Sequence, residues 1–333
     1  QMFLKRGSSF PILLSLLPLA MSFTPSKRIF AITGCTGRTG GEVLKELVKQ
    51  RQLANADWEI RALVRNRRGH RADWMDQLPG VKVVLADMKD RKALRDALRG
   101  CTEAFLVCGN TAKEGEQTAN EENFIECAKE EGVKYLVKAG TADPIYGTDA
   151  PVAYGREHTH IEGFLRSSGV PFTVLHPCFY MQNHLIDIST ITKERCIYDC
   201  TRASKAGWID IRDVAECAVR LLIMPEEERQ QHVGATYEIT GPELLDFQLI
   251  AKVYSEVLDT PISVRDMTPR EWAHAHFGNP DAAVADMMQI WRDGHFATMT
   301  TDEGLLKVLQ PHRTFRQWVQ ENAGLYKGGG KHE

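Results

Sequence analysis

The sequence predicts an α/β fold, a doubly wound parallel sheet with a smaller C-terminal lobe interleaved with it. Three observations carry this. From Arg28 onward, short β-rich apolar runs alternate with stretches of helical periodicity. A cluster of glycines lies between the first run and the first helical stretch. The 333-residue chain is 43% hydrophobic and 26% charged, ordinary globular usage with enough length to bury a full core.

The strands are read at 28–33, 59–64, 81–86, 104–108, 135–138 and 172–176. Helical stretches lie between them at 42–52, where Val43, Leu44, Leu47 and Val48 share a face, at 91–98 and at 120–131. Six strands with intervening helices imply right-handed βαβ units. In the second half, 208–211 predicts a strand leading into a helix over 213–224, and 235–240 predicts another strand. Phe247, Ile250, Ala251, Tyr254, Val257 and Leu258 mark one face of a further helix. Thr268-Pro269-Arg270-Glu271 and Thr314-Phe315-Arg316-Gln317 have the form of capping boxes. Because the runs at 208 and 235 follow the sixth strand, the lobes are expected to interleave rather than to be joined by a linker.

Charge and cysteine usage narrow the functional classes. Lys and Arg number 41 against 44 Asp and Glu, a formal charge of −3. The basic cluster of Arg65, Arg67, Arg68 and Arg71 is too local for a duplex-binding face, so nucleic acid is not an expected partner. The eight cysteines show neither zinc-site spacing nor the density of a disulfide scaffold. Reduced thiols and no metal site are expected, with Cys196 and Cys200 the close pair that could oxidise. Residues 1–24, with Lys5 and Arg6 ahead of an apolar run, have the layout of a secretory signal; Met21 fits equally an internal start behind a leader. The run is too short to span a bilayer. It is left out of the fold, as is a frayed tail over 327–333. Cytoplasmic residence is expected, or a secretory or organellar one if 1–24 is a genuine signal.

Ile32-Thr33-Gly34-Cys35-Thr36-Gly37-Arg38-Thr39-Gly40-Gly41 sets its glycines as G-x-x-G-x-x-G. Gly34 allows a tight turn, Gly37 lets backbone approach a pyrophosphate, and Gly40 lets the helix pack closely on the strand. A turn that merely caps a helix is the plainer alternative, but strand before and helix after supply the context of a dinucleotide site. The first half therefore reads as a Rossmann-type NAD(P)-binding domain over 25–176, followed over 177–326 mainly by a substrate lobe. An acidic residue at the end of the second strand would mark NAD, an arginine NADP. That strand ends Ala62-Leu63-Val64-Arg65, with Asp57 and Glu59 at its entrance. Arg65 and Arg38 thus predict NADPH over NADH, since a guanidinium matches a phosphate; a solvated basic turn is the alternative. Asp87, after the third strand, can bond the adenine amino group, cap the next helix, or both. Thr36, Thr39, Met88 and Gly109 are counted with these cofactor residues.

Thr-Gly-Cys-Thr-Gly-Arg-Thr-Gly at 33–40, Leu-Val-Arg-Asn at 63–66, the stretch 161–173, Phe-Tyr-Met-Gln-Asn at 179–183, Trp-Ile-Asp-Ile-Arg-Asp-Val-Ala at 208–215 and Tyr-Glu-Ile-Thr-Gly-Pro at 237–242 follow one another in a specific order. In these the chain, from Lys27 to Tyr326, resembles the NmrA-like family of atypical short-chain dehydrogenases/reductases. The resemblance implies one of two kinds of protein: an NADPH-dependent reductase, quinone oxidoreductases included, or a regulator that binds the dinucleotide without turning it over. Standard short-chain dehydrogenases carry Tyr-x-x-x-Lys on one helix face, where Tyr protonates the carbonyl oxygen and Lys holds the nicotinamide ribose. Here Tyr154-Gly155-Arg156-Glu157-His158 keeps the spacing with His in the Lys place, which is within the family's pattern.

Tyr154 and His158 are the candidate catalytic pair, with a helix start as the plainer role for Tyr154. His158 is also a candidate cofactor contact, since imidazole can donate to a ribose hydroxyl and shuttle protons near neutral pH. Tyr180, like the family's aromatic against the nicotinamide, is expected to wall the substrate pocket; ordinary core is its alternative. Phe179, Met181, Asn183 and the lobe from Trp272 to Trp291 complete the expected slot. His176 departs from the Arg that ends the family's sixth strand, and His160 and His184 read as partly exposed polar residues. The expected function is an NADPH-dependent oxidoreductase that reduces a quinone or another small conjugated carbonyl by hydride transfer. The alternative is a non-catalytic NADP(H)-sensing regulator that binds protein partners.

Overall fold

Strand and helix alternate through the first half: β1 (Ile29–Ile32), α1 (Arg38–Leu53), β2 (Glu59–Val64), β3 (Val81–Leu85), α2 (Arg91–Leu98), β4 (Glu103–Leu106), α3 (Glu116–Glu130), β5 (Tyr135–Ala139), α4 (Ala153–Ser168) and β6 (Phe172–Pro177). The second half adds α5 (Ile188–Glu194), β7 (Cys196–Asp199), β8 (Ala206–Gly207), α6 (Ile211–Ile223), α7 (Glu226–Arg229), β9 (Ala235–Ile239), β10 (Leu244–Leu245), α8 (Phe247–Leu258), β11 (Ser263–Asp266), α9 (Pro269–Phe277), α10 (Ala282–Arg292), α11 (Glu303–Leu306) and α12 (Phe315–Tyr326). This computed structural model describes residues 27–66, 72–109, 113–278 and 282–327. The leader over 1–24, Arg67, Arg68 and Arg71, and the tail beyond Lys327 lie outside them.

Seven strands form one parallel sheet in the order β3-β2-β1-β4-β5-β6-β9. The first six follow the Rossmann order. β4, β5 and β6 are buried along their whole length, as central parallel strands covered on both faces must be. α1 and α6 cover one face and α2, α3 and α4 the other, each over its own apolar core. A third core, rich in Trp, Tyr and Phe, lies in the lobe built from α5, β7, α8, α9, α10 and α12. Between β6 and β9 the chain enters this lobe and comes back to the sheet through α6, so the interleaving is present.

The strand expected at 208–211 is not part of the sheet. Ile209 makes a single bridge to Tyr180, and β8 ends at Gly207 and pairs with β10. Trp208 and Ile209 are buried in the lobe and the sheet core respectively, which accounts for an apolar run that resembles a strand. His184 is also not partly exposed: it is buried, and its Nδ1 lies 2.7 Å from Asp187 Oδ2. His160 is exposed and meets Glu122 at 3.0 Å. The cysteines are unpaired and buried except for the half-buried Cys108. Asp213, Glu216 and His312 stand close enough to share an ion, yet the Arg313 guanidinium takes both carboxylates. Among the described residues, no helix is long and apolar enough to cross a membrane.

Candidate active site

Strand order reverses between β1 and β4, and ligands of such sheets bind in the crevice at the carboxyl ends of the strands. A cleft of about 730 Å³ occupies that place. The glycine loop forms part of its wall. Gly34 has φ +64°, and a Cβ there would lie 2.6 Å from Val107 Cγ1. At Gly40 a Cβ would lie 2.3 Å from the Thr33 carbonyl oxygen, so α1 approaches β1 this closely only with glycine. The Gly37 amide donates to the Gly34 carbonyl at 2.8 Å, and Thr33 Oγ1 accepts the Val107 N–H at 2.8 Å, stitching the loop across the switch point. Gly37 caps α1 without a side-chain hydrogen bond, and no acidic residue stands in the first turn. The helix therefore offers free N–H groups and the positive end of its dipole.

Every residue assigned to the cofactor from the sequence lines this cleft: Gly34, Thr36, Gly37, Arg38, Thr39 and Gly40 from the loop, Arg65 after β2, Asp87 and Met88 after β3, Gly109 after β4, His158 from α4 and Tyr180 after β6. Asp87 does not cap α2. Its Oδ1 accepts the Lys89 N–H at 2.9 Å, and Asp90 caps the helix by accepting from Ala93 at 3.0 Å. Burial pushes the Tyr180 phenol up to about 12, while its contact with the Thr39 hydroxyl works the other way. Lys89 and Glu116, both in the lining, form an ion pair at 2.5 Å.

His158 is buried with its ring nitrogens engaged. Nδ1 lies 3.0 Å from Lys138 Nζ, and Nε2 lies 3.2 Å from Gln117 Nε2. Burial, and after it the Lys138 ammonium, hold the imidazole well below its ordinary range, so it is neutral at physiological pH. His176 sits behind another part of the wall: a Cβ on the cleft-lining Gly140 would lie 2.6 Å from His176 Cδ2 and 2.7 Å from Glu162 Oε1. Burial alone would lower His176, but Asp143 at 2.7 Å and Glu162 at 2.8 Å hold it above its ordinary value.

Tyr154 stands apart from the cleft lining. One turn ahead of His158, its hydroxyl donates to Met287 Sδ at 3.0 Å and its ring packs against the lobe core. Of the expected slot residues, Tyr180 alone among the described residues lines the cleft. Phe179 stacks on Trp291 with centroids 4.4 Å apart, and Met181, Trp272 and Trp291 are buried in the lobe core. Asn183 is exposed, its N–H bonded to the Tyr180 carbonyl at 2.9 Å. The 3₁₀ turns over Met181–Asp187 direct the apolar side chains into the lobe rather than towards the sheet.

Residues 25–293 match the sequence profile of the NmrA-like family. The chain belongs to this family. This NmrA-like chain is 28% identical over 305 residues to NAD(P)H azoreductase of Xenophilus azovorans, covering 89% of this chain and 98% of the relative. To quinone oxidoreductase 2 of Escherichia coli K12 it is 25% identical over 262 residues, 78% of this chain and 85% of the relative. In fold it is similar to NmrA, a negative transcriptional regulator solved in complex with NADP, with a TM-score of 0.69 at 16% identity over 89% of this chain and 95% of that one.

Around the cleft of this NmrA-like protein, sequence reasoning passed over Lys89, Glu116, Gln117, Glu121 and Lys138. One signal was available. Lys138 interrupts the otherwise apolar Tyr135–Ala139 run of a central strand, and a buried lysine demands a carboxylate partner. Glu121, one helical turn after Gln117 on the face that carries Phe124 and Ile125, is that carboxylate.

Proposed function

We propose that the cleft binds NADPH and that the protein is an NADPH-dependent reductase of a quinone or another small conjugated carbonyl. The observation carrying this reading is the convergence of an uncapped helix N-terminus, a glycine loop and the cations of Arg38 and Arg65 on one cleft. The residues fit the cofactor. A side chain at Gly34 or Gly40 would collide with neighbouring atoms, while the N–H groups of α1 suit a pyrophosphate. In this reading Arg65 and Arg38 hold the 2′-phosphate, Asp87 and Met88 meet the adenine, His158 donates to a hydroxyl of the nicotinamide ribose, and Tyr180 walls the ring.

When bound, the cofactor supplies a hydride from C4 of its nicotinamide. The chain binds, orients and shields. Tyr154 is engaged with Met287 and His158 is neutral, so neither donates the proton, which comes from water. Acceptors that become a stabilised anion on taking the hydride, such as a quinone giving the hydroquinone monoanion that water then protonates, tolerate that arrangement; a simple ketone, which would leave an alkoxide, does not. The relatives named as azo and quinone reductases support the same class. The sensor reading draws on the withdrawn Tyr154 and on the likeness of fold to a regulator.

Intrinsic fluorescence titration with NADPH and NADH, followed by a small quinone while the reduced-nicotinamide absorbance is watched, tests both readings. NADPH is expected to bind at least about tenfold tighter than NADH, and Arg65→Ala to weaken NADPH roughly 10- to 100-fold with little effect on NADH. Quinone-dependent loss of absorbance supports the reductase. Tight binding with a flat trace selects the sensor, and failure to bind either dinucleotide overturns the cleft assignment.

A further inference from the structure

Behind the cleft wall, four polar side chains close into a buried ring. Lys138 and Glu121 are fully buried, and Gln117 and His158 nearly so. Lys138 Nζ lies 2.8 Å from Glu121 Oε2, 2.9 Å from the Ala139 carbonyl oxygen and 3.0 Å from His158 Nδ1. The Glu121 contact is an ion pair, and because an ammonium donates and accepts nothing, Nδ1 must be the acceptor in the bond between Lys138 and His158. A neutral imidazole then carries its hydrogen on Nε2. On that side lies Gln117 Nε2 at 3.2 Å, itself a donor that gives a hydrogen to Glu121 Oε1 at 3.0 Å. Turning the Gln117 amide over would offer His158 an acceptor but would set two oxygens against each other at Glu121. Gln117 as placed thus offers the Nε2 hydrogen no acceptor, and the cleft that His158 lines is where a ligand oxygen can supply one.

We propose that Lys138 is a positioning residue: from β5 its ammonium occupies His158 Nδ1, locks the imidazole in the Nε2–H tautomer, and makes His158 a fixed neutral donor to a ligand oxygen in the cleft. The nature of that oxygen, a hydroxyl of the nicotinamide ribose, rests on the NADPH reading above. Standard reductases of this kind set a lysine of the helix against the ribose. Here the cation is withdrawn by one layer and neutralised by Glu121, and His158 relays its effect as a tautomer rather than as a charge.

The test uses the full chain with ¹⁵N-labelled histidine. Long-range nitrogen–proton spectra of the unliganded wild type should show His158 as a single Nε2–H tautomer that does not titrate between about pH 5.5 and 8.5. Observation of the Nδ1–H form, or of imidazolium at neutral pH, overturns the proposal without any variant. Lys138→Met alone leaves Glu121 buried and unpaired and invites misfolding, so the variant is Lys138→Met with Glu121→Gln, its fold checked by circular dichroism. It should show mixed tautomers and bind NADPH about tenfold more weakly. A variant that keeps the pure Nε2–H form overturns the role of Lys138. A wild type with the locked tautomer but no affinity for NADPH supports the lock and sinks the dinucleotide reading alone.

Discussion

Two glycines three residues apart perform different tasks, and alanine separates them. At Gly40 an added methyl collides with backbone at 2.3 Å, whereas at Gly37 it meets only the Gly34 carbonyl oxygen, at 3.3 Å. Gly37 also lies at φ −96°, where alanine is unstrained. Gly40→Ala should therefore lose both dinucleotide binding and about 1–3 kcal/mol of stability, the cost of overpacking. Gly37→Ala should lose binding with its unfolding midpoint almost intact, because its Cβ would crowd the bound pyrophosphate and not the protein. Urea unfolding and an NADPH titration on each variant check the pair. Equal destabilisation by both would contradict the assignment of close packing to Gly40. Cys108, also in the lining, stays a thiol at neutral pH, since burial pushes it up to about 11 with Glu121 adding to the effect.

The helices of the lobe start where their capping residues dictate. Thr314 Oγ1 accepts the Gln317 N–H at 3.2 Å and Gln317 Oε1 accepts the Thr314 N–H at 2.9 Å, a complete capping box repeated at Thr268 and Glu271. α12 carries Phe315, Trp318, Val319 and Tyr326 into the core, and the Tyr326 hydroxyl donates to the His184 carbonyl at 2.9 Å. Thr314→Ala is expected to cost about 1 kcal/mol and Thr314→Ser to recover most of it. Denaturation followed by tryptophan fluorescence measures the change. Because no residue of α12 lines the cleft, NADPH affinity should not move.

Charges far apart in sequence tie the whole molecule together. Glu103, at the start of β4, accepts from Arg28 at 2.7 Å and from Arg229 of α7 at 3.3 Å, while Arg28 also donates to the Ile223 carbonyl at 2.9 Å. The molecule's buried and half-buried titratable groups bend the pH dependence of stability in opposite directions. His158, neutral when folded, is protonated in the unfolded chain below about 6.5, so its burial subtracts stability as pH falls below that value. Burial, then Asp143, raises the carboxyl of Glu238 from 4.5 to about 7; the folded chain keeps a proton the unfolded chain has lost, and stability declines as pH rises through that window. His176 acts in the same direction: its contribution is complete below its unfolded value and is lost as pH rises through the folded one. Glu238→Gln should leave the melting temperature unchanged at pH 4 and raise it by about 2 °C at pH 8. Melts at the two pH values decide this, and an equal rise at both would refute the titration.

Much of this was legible in the residue order. The sheet, the glycine loop, both capping boxes and the residues expected to meet a dinucleotide, all of which line the cleft, follow from local rules, because glycine spacing, strand period and caps act within a few residues of chain. The strand expected at 208–211 failed for the opposite reason: an apolar run records burial, and burial of Trp208 and Ile209 is shared between two cores that no local pattern separates. Spacing likewise set Tyr154 and His158 one turn apart without revealing that their side chains reach different neighbours, Met287 and Lys138. Which groups meet across 20 to 133 residues of chain is a matter of packing, and the protonation and tautomer of His158 depend on those meetings.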